Sequence, residues 1–287
     1  MIVDNRKELM MYPLYDFGGS GDLLHIALAN GFPPQTYAPL LAPFIADYHV
    51  INLMPRALWD DEIPQKLVSW KDGLAKDLHE GMIQHDMKNI IAIGHSFGGI
   101  ATLLTAIKDP LRFKAVVLLD PTILPRKYMT ALQIARILGR TASSGLAERA
   151  EKRKTTFDST DVAYDYFKGK KLFADWDDDA LRGYAQSMKP ASEGGVTLAW
   201  KREWEAYYFR TLYAGTWGDL PKLRNKTPLL MIRGSTSDTL LPETAEKIRR
   251  ILPDMTYHEI AGHGHLFPQS VPQQTANIIQ NWLEGLS

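Results

Sequence analysis

The five residues Gly94-His95-Ser96-Phe97-Gly98 have the types and spacing needed to present a nucleophilic serine. They lie between residues 89–93, an apolar run typical of a buried strand, and residues 99–107, a run typical of a helix. A Gly-x-Ser-x-Gly turn between a strand and a helix holds its serine at the apex of a sharp bend, because glycines leave room for the backbone to reverse. The sequence therefore predicts an exposed serine oxygen that could attack a carbonyl carbon.

A serine hydroxyl needs a base that removes its proton and an acid that orients the base. In chains with this type of turn, the acid and then the base follow the serine. Asp238 follows the strand-like run 229–233, and His265 stands in Gly262-His263-Gly264-His265 after another strand-like run. Both positions follow strands, where ligands bind in open α/β sheets. We therefore expect Ser96, Asp238 and His265 to form a catalytic triad.

Negative charge that develops on an attacked carbonyl oxygen needs backbone N–H donors, which form an oxyanion hole. Phe97 supplies one candidate donor, because it directly follows the serine. The segment Asn30-Gly31-Phe32-Pro33-Pro34 supplies the second. Gly31 permits a tight bend there, and Phe32 is the candidate donor because the two prolines have no N–H.

Strand-like and helix-like runs alternate along the chain, which is typical of an α/β fold with a mostly parallel sheet covered by helices on both faces. The predicted strands cover residues 9–15, 23–29, 49–54, 89–93, 115–119, 229–233 and 255–260, and the predicted helices cover 35–48, 69–86, 99–107, 242–252 and 273–283. From about Thr122 to Lys226 we find helix-like segments and no convincing strand. The expected organisation is a core domain (1–121 and 227–287) interrupted by a helical cap, 122–226.

Composition limits the partners. Lys plus Arg and Asp plus Glu balance at 33 each, so no overall field favours nucleic acid. The chain has no cysteine, which excludes disulfides and a cysteine nucleophile. The first eight residues lack the apolar segment of a signal peptide. We expect a cytoplasmic protein with a small-molecule acyl or ester substrate, no membrane span and no cofactor. The histidines outside these motifs lack ligand spacing, so no metal site is predicted.

Over nearly its whole length the chain resembles the α/β-hydrolase superfamily, in particular its capped serine hydrolases. The matching segments are residues 30–33, 94–99, 233–238 and 264–268. The resemblance implies Ser96 as nucleophile, His265 as base, Asp238 as orienting acid, and Phe32 and Phe97 as oxyanion donors. Asn30 departs from the family, which commonly has histidine there.

Some assignments have alternatives. His263 competes with His265, although the spacing to Leu266-Phe267-Pro268 favours His265. Asp120 competes with Asp238, because some capped relatives carry the acid at this earlier strand; otherwise Asp120 is a turn carboxylate before Pro121. His95, beside the serine, is expected in the wall of the site as packing or as a substrate contact.

The predicted cap is rich in aromatic residues. Trp200, Trp204 and Tyr207-Tyr208 recur at helical spacing, so one helix face is strongly aromatic. This face either packs the cap on the core or lines an apolar pocket above Ser96. Trp204 and Tyr208 are the candidate substrate contacts.

The function expected from these features is hydrolysis of carboxylic esters or related acyl compounds through an acyl-enzyme. A carbon–carbon bond hydrolase, a lactonase or a cofactor-free haloperoxidase is the alternative, because all of these use the same triad. A small-molecule receptor with vestigial catalysis is a further alternative.

Overall fold

The computed structural model describes residues 11–138 and 145–286 of the chain. The strands in these ranges are β1 (Leu14–Gly18), β2 (Asp22–Ala27), β3 (Tyr48–Leu53), β4 (Ile90–His95), β5 (Phe113–Leu119), β6 (Thr156–Phe157), β7 (Lys189–Pro190), β8 (Val196–Thr197), β9 (Leu229–Gly234) and β10 (Thr256–Ile260). Seven strands form the main sheet, in the order β1-β3-β2-β4-β5-β9-β10. The β1–β3 pair is antiparallel and the other pairs of this sheet are parallel.

Helices connect and cover these strands. They are α1 (Ala38–Leu41), α2 (Leu74–Gln84), α3 (Phe97–Lys108), α4 (Arg126–Ile137), α5 (Gly145–Glu151), α6 (Thr160–Lys168), α7 (Asp178–Gln186), α8 (Arg202–Arg210), α9 (Thr216–Asp219), α10 (Pro242–Ile251), α11 (Phe267–Ser270) and α12 (Pro272–Glu284). Short 3₁₀ helices occupy Pro34–Tyr37, Ala42–Phe44, Arg56–Leu58, Pro110–Arg112, Lys171–Phe173 and Leu220–Leu223. No helix in the described part of the chain is both long enough and apolar enough to cross a membrane.

The central strands form the buried core of the sheet. Every residue of β4 and of β9 is buried. Helices cover both faces of a parallel sheet, so its central strands are mostly continuous apolar runs and do not alternate apolar with polar residues. This is why the continuous apolar runs 90–93 and 229–232 predicted strands.

The segment 122–226, which we call the cap, lies between two strands that are neighbours in the sheet. β5 pairs with β9, although the whole cap separates them in sequence. The cap contains α4–α9 and a small antiparallel sheet in the order β6-β8-β7. The expectation that this segment has no strands was wrong, because its strands are only two residues long and give no alternation pattern. The division into a core of 1–121 and 227–287 and a cap of 122–226 stays a prediction.

Three predicted elements differ from the structure. The single helix predicted for 35–48 is replaced by α1 between two 3₁₀ helices, because Pro39 and Pro43 lack the N–H that a continuous helix needs. The predicted strand 9–15 begins outside the described residues, and the observed β1 starts only at Leu14, after Pro13. The helix predicted for 69–86 is shorter, because residues 69–73 form turns before Leu74.

Candidate active site

Ser96 lies at a sharp turn between β4 and α3. Its backbone has φ 58° and ψ −120°, a conformation that is strained for a residue with a side chain. The turn brings the backbone very close to its neighbours. A Cβ at Gly98 would lie 2.3 Å from the Leu28 carbonyl oxygen, and one at Gly94 would lie 2.8 Å from the Gly99 Cα. The spacing Gly-x-Ser-x-Gly is therefore a steric requirement of this turn.

Three side chains form a continuous hydrogen-bonded chain that starts at Ser96. The Oγ of Ser96 lies 2.8 Å from Nε2 of His265, and Nδ1 of His265 lies 2.6 Å from Oδ2 of Asp120. A carboxylate can only accept, so Nδ1 carries the imidazole proton and Nε2 accepts from the serine hydroxyl. This is the geometry in which a histidine can remove the serine proton.

The carboxylate that contacts His265 in this hydrogen-bonded series belongs to Asp120, not to Asp238. Asp238 is exposed, and its carboxylate accepts a hydrogen bond from the Thr239 hydroxyl at 3.4 Å. The expectation that Asp238 orients His265 was therefore wrong. In the turn after β9, the side chain of Ser237 faces inward and donates to Oδ2 of Asp120 at 2.5 Å, so the next residue faces solvent.

Asp120 is fully buried at the end of β5, and donors fix both of its oxygens. The Gly234 N–H donates to Oδ1 at 3.2 Å, while His265 and Ser237 donate to Oδ2. The Ser237 oxygen in turn accepts from the N–H groups of Thr239 and Leu240, at 3.1 and 3.2 Å. A buried carboxylate needs such partners, and here they hold it in one orientation. The turn after β9 thus supports the acid without supplying it.

His95 is hydrogen-bonded to the backbone of His265. Its ring is fully buried. Nδ1 lies 2.8 Å from the Tyr37 hydroxyl, and Nε2 lies 3.0 Å from the His265 carbonyl oxygen, to which it must donate. The Tyr37 oxygen accepts from the Ala29 N–H at 2.9 Å. Burial, with the neighbouring His265, holds the pKa of His95 well below its usual range. Of the two roles expected for His95, packing and substrate contact, these contacts favour packing, because both ring nitrogens have protein partners.

The candidate oxyanion donors lie on two different elements. Phe97 is the first residue of α3, and the first N–H groups of a helix have no acceptor within the helix. The N–H of Phe32 lies 3.3 Å from the Ala29 carbonyl oxygen, across a turn in which Gly31 has φ 91°. Phe32 would have to give up this long hydrogen bond to bind an oxyanion.

Aromatic rings pack on the side chain of Phe97. Its ring centroid lies 5.0 Å from that of Tyr208, 5.7 Å from Trp70 and 6.0 Å from Trp200. Two of these rings belong to the cap. Tyr208 thus packs directly on the residue that follows the nucleophile, and its contact with substrate stays a prediction.

The ring of Phe32 has its own cap partners. Its centroid lies 5.3 Å from Trp176 and 6.2 Å from Tyr184. Cap aromatic residues therefore pack on the side chains of both candidate oxyanion residues.

Trp204 anchors the cap to the core. It is buried, and its indole N–H donates to the Asp60 carbonyl oxygen at 2.8 Å. Its ring packs on Tyr207 and Tyr208. Trp204 thus contacts both the core and its neighbours in the cap, and its contact with substrate stays a prediction.

An ion pair from the cap lies against the loop that carries Phe32. A Cβ added to Gly31 would lie 3.1 Å from Cδ of Glu205. The Asn30 side-chain amide donates to the Glu205 carbonyl oxygen at 3.0 Å. Arg153 pairs with the Glu205 carboxylate and donates to the Tyr184 hydroxyl at 2.7 Å. Burial raises the pKa of Glu205, and Arg153 opposes that rise. Asn30, which departs from the family, thus joins the candidate oxyanion loop to the cap.

Sequence reasoning missed Thr122. Its Oγ1 lies 3.0 Å from Oγ of Ser96. The sequence held one indication that Thr122 lies near the site. It comes two residues after Asp120, the alternative acid. His263 stays outside this group: its Nδ1 lies 3.9 Å from the Asp175 carboxylate, at the edge of the cap.

The site is nearly covered. Ser96 is 8% exposed, and the side chain of His265 is 20% exposed. Within the residues described, no cluster of three or more His, Cys, Asp or Glu side chains is arranged to hold a metal ion.

A mostly parallel sheet with a serine turn after β4 and a histidine after β10 defines the class of α/β-hydrolases. The model of the alpha/beta hydrolase family matches residues 23–278, and the chain belongs to this family of hydrolytic enzymes. The fold class predicted from the sequence is confirmed. We found no significant match among curated protein sequences.

Solved structures show the same fold. E-2-(acetamidomethylene)succinate hydrolase is 20% identical with a TM-score of 0.76, and the alignment covers 94% of each chain. The peroxisomal alpha-beta-hydrolase Lpx1 of Saccharomyces cerevisiae is 15% identical with a TM-score of 0.71, over 95% of this chain and 80% of that one. The enol-lactonase of Burkholderia xenovorans is 16% identical with a TM-score of 0.66, over 95% and 96%.

Proposed function

We propose that the chain is a serine hydrolase that cleaves carboxylic esters or related acyl compounds through an acyl-enzyme. The observation that carries this proposal is the unbroken chain from Ser96 through His265 to Asp120, with contacts of 2.8 and 2.6 Å. Ser96 is the nucleophile, His265 the general base and Asp120 the orienting acid. Asp120 takes the role that the sequence assigned to Asp238.

In the first half of the reaction, Ser96 Oγ attacks the carbonyl carbon as its proton passes to Nε2 of His265. Asp120 accepts the Nδ1 proton in a hydrogen bond and so stabilises the imidazolium. The N–H groups of Phe97 and Phe32 stabilise the oxyanion. The imidazolium then protonates the leaving group as its bond to the carbonyl carbon breaks, which leaves the acyl group on Ser96.

In the second half, water attacks the acyl carbon while His265 takes one of its protons. The bond from the acyl carbon to Ser96 Oγ then breaks, and the serine oxygen recovers a proton from His265. The products are the free acid and the unmodified enzyme, so atoms and protons balance. The aromatic residues of the cap support an apolar or aromatic acyl group.

Turnover of p-nitrophenyl esters tests this proposal. We expect Ser96→Ala to abolish it, because no other group would form the acyl-enzyme. Ser192→Ala, in an exposed turn of the cap, is the matched control and should keep wild-type activity. Full activity of Ser96→Ala would overturn the proposal.

A substrate panel separates acyl hydrolysis from the other activities that this triad supports. Aryl esters, lactones and ring-cleavage diketones would each be compared by kcat/KM. Preference for a diketone would favour carbon–carbon bond hydrolysis, and preference for a lactone would favour lactonase activity. Binding without turnover would favour a receptor.

A further inference from the structure

The Thr122 hydroxyl lies directly against the nucleophile. Its Oγ1 is 3.0 Å from Oγ of Ser96, and its backbone N–H donates to the Ser96 carbonyl oxygen at 3.2 Å. Thr122 is half-buried, unlike the fully buried residues on either side of it. Two separate hydrogen bonds therefore fix a polar side chain beside the reacting oxygen, and the triad does not account for it.

The direction of the hydrogen bond between the two hydroxyls follows from the protons in the triad. His265 donates from Nδ1 to Asp120, so its Nε2 can only accept the serine proton. The Ser96 oxygen has then used its own proton and must accept from the Thr122 hydroxyl. The Thr122 oxygen keeps its lone pairs and can itself accept a hydrogen bond.

Sheet topology places Thr122 on the same side of the nucleophile as the base. The order β2-β4-β5-β9-β10 puts Ser96, after β4, between the loop after β2 and the loop after β5. Phe32, a candidate oxyanion donor, follows β2, whereas Thr122 follows β5. The oxyanion donor and the threonine hydroxyl thus approach Ser96 from opposite sides. The leaving group must depart, and water must enter, on the side of His265.

We propose that Thr122 is a further catalytic residue that binds the hydrolytic water in the second half-reaction; this rests on the proposed function. Once Ser96 carries an acyl group, its ester oxygen is a poor acceptor, and the threonine hydroxyl is released to bind water. That water donates one proton to Nε2 of His265 and the other, in a hydrogen bond, to Oγ1 of Thr122. Its lone pair is then directed at the acyl carbon, and the proton held by Thr122 stays with the product acid.

Two variants of Thr122 separate this role from simple support of the serine. Thr122→Val keeps the shape and removes the hydroxyl, whereas Thr122→Ser keeps the hydroxyl. Stopped-flow release of p-nitrophenol gives the acylation rate from the burst and the deacylation rate from the steady phase. We expect Thr122→Val to slow deacylation about tenfold or more, the effect of losing one hydrogen bond to a reacting group, with acylation little changed. A burst of one equivalent should therefore appear or grow, and Thr122→Ser should restore the wild-type ratio.

Two results would overturn this role for Thr122. Unchanged deacylation in Thr122→Val is one, and parallel loss of acylation and deacylation, which indicates support of the serine alone, is the other. A wild-type enzyme that forms no acyl-enzyme would instead refute the proposed function, and this inference with it. The wild-type trace therefore distinguishes the two failures.

Discussion

Oδ2 of Asp120 lies 2.6 Å from Nδ1 of His265, so the carboxylate that contacts this imidazole comes from the end of β5 and not from the turn after β9. The turn after β9 still contributes, because the Gly234 N–H and the Ser237 hydroxyl both donate to Asp120. The acid and its support thus come from two neighbouring strands.

Two conservative variants test this relationship. Asp120→Asn keeps the size of the side chain but removes its charge and favours the wrong imidazole tautomer. We expect kcat to fall about 10³- to 10⁴-fold, the loss typical of a triad without its acid. Asp238→Asn is the matched control and should stay within about twofold of wild type, because Asp238 is exposed. The reverse pattern in p-nitrophenyl ester kinetics would show that the acid is Asp238.

Both aspartates could be found from the sequence, but the choice between them could not. Ser96 and His265 stand in local motifs whose spacing a turn requires. Asp120 and Asp238 each follow a buried strand, and the two strands are neighbours in the sheet. Which carboxylate reaches His265 depends on the path of the turn after β9, where Ser237 faces inward. That path is set by tertiary contacts, so the local sequence does not determine it.

The sequence predicts where the cap lies in the chain but not what its individual side chains contact. Its place between β5 and β9 follows from the interruption in strand–helix alternation. The role of Trp204 could not be predicted, because helical spacing is the same for a ring that contacts Asp60 and for one that lines a pocket. In the core, the helix predicted for 35–48 failed at Pro39 and Pro43, residues that were visible in the sequence.

His95 is predicted to act through the backbone of His265. His95→Phe removes the hydrogen bond to the His265 carbonyl oxygen and the His95 nitrogen that accepts from the Tyr37 hydroxyl. A displaced imidazole should lower kcat by up to about 10²-fold, with little effect on KM. His85→Phe, at the residue that directly follows α2, is a control for loss of an imidazole and should keep its kcat. A raised KM with unchanged kcat in His95→Phe would indicate that His95 binds substrate after all.

Gly31 is predicted to couple the cap to the oxyanion loop. Gly31→Ala places a methyl group 3.1 Å from Cδ of Glu205 at a backbone φ of 91°, so both strain and a clash oppose it. Gly194→Ala is the matched control, because Gly194 has φ 96° but open space around it. Both variants should lose about 1–2 kcal/mol in the free energy of unfolding, from the positive φ. Only Gly31→Ala should also lose kcat, measured with the same ester; equal activity in the two variants would contradict the coupling.

Two buried histidines predict that acid weakens the fold. Burial lowers the pKa of His25 to about 3 and holds that of His95 well below its usual range. In the unfolded chain both histidines bind a proton as the pH falls through about 6.5, whereas in the folded chain they stay neutral at that pH. The free energy of unfolding should therefore be highest above that pH and fall below it, by roughly 1.4 kcal/mol per pH unit for each histidine.

Urea unfolding measured between about pH 7.5 and pH 5 checks this dependence on pH. His25→Gln removes one of the two titrating groups. It should therefore reduce the change in the free energy of unfolding per pH unit by the contribution of one proton, whatever its effect on the stability at neutral pH. A free energy of unfolding that stays constant over this range in the wild-type protein would contradict the prediction.

Labelling with a fluorophosphonate tests the central claim, that His265 and Asp120 make Ser96 a nucleophile, most directly. Intact-protein mass and peptide mapping would follow the adduct in wild type, Ser96→Ala and Asp120→Asn. We expect one adduct on Ser96 in wild type, none in Ser96→Ala, and strongly slowed labelling in Asp120→Asn. A folded wild-type protein that carries no adduct, or carries it on another residue, would contradict the claim.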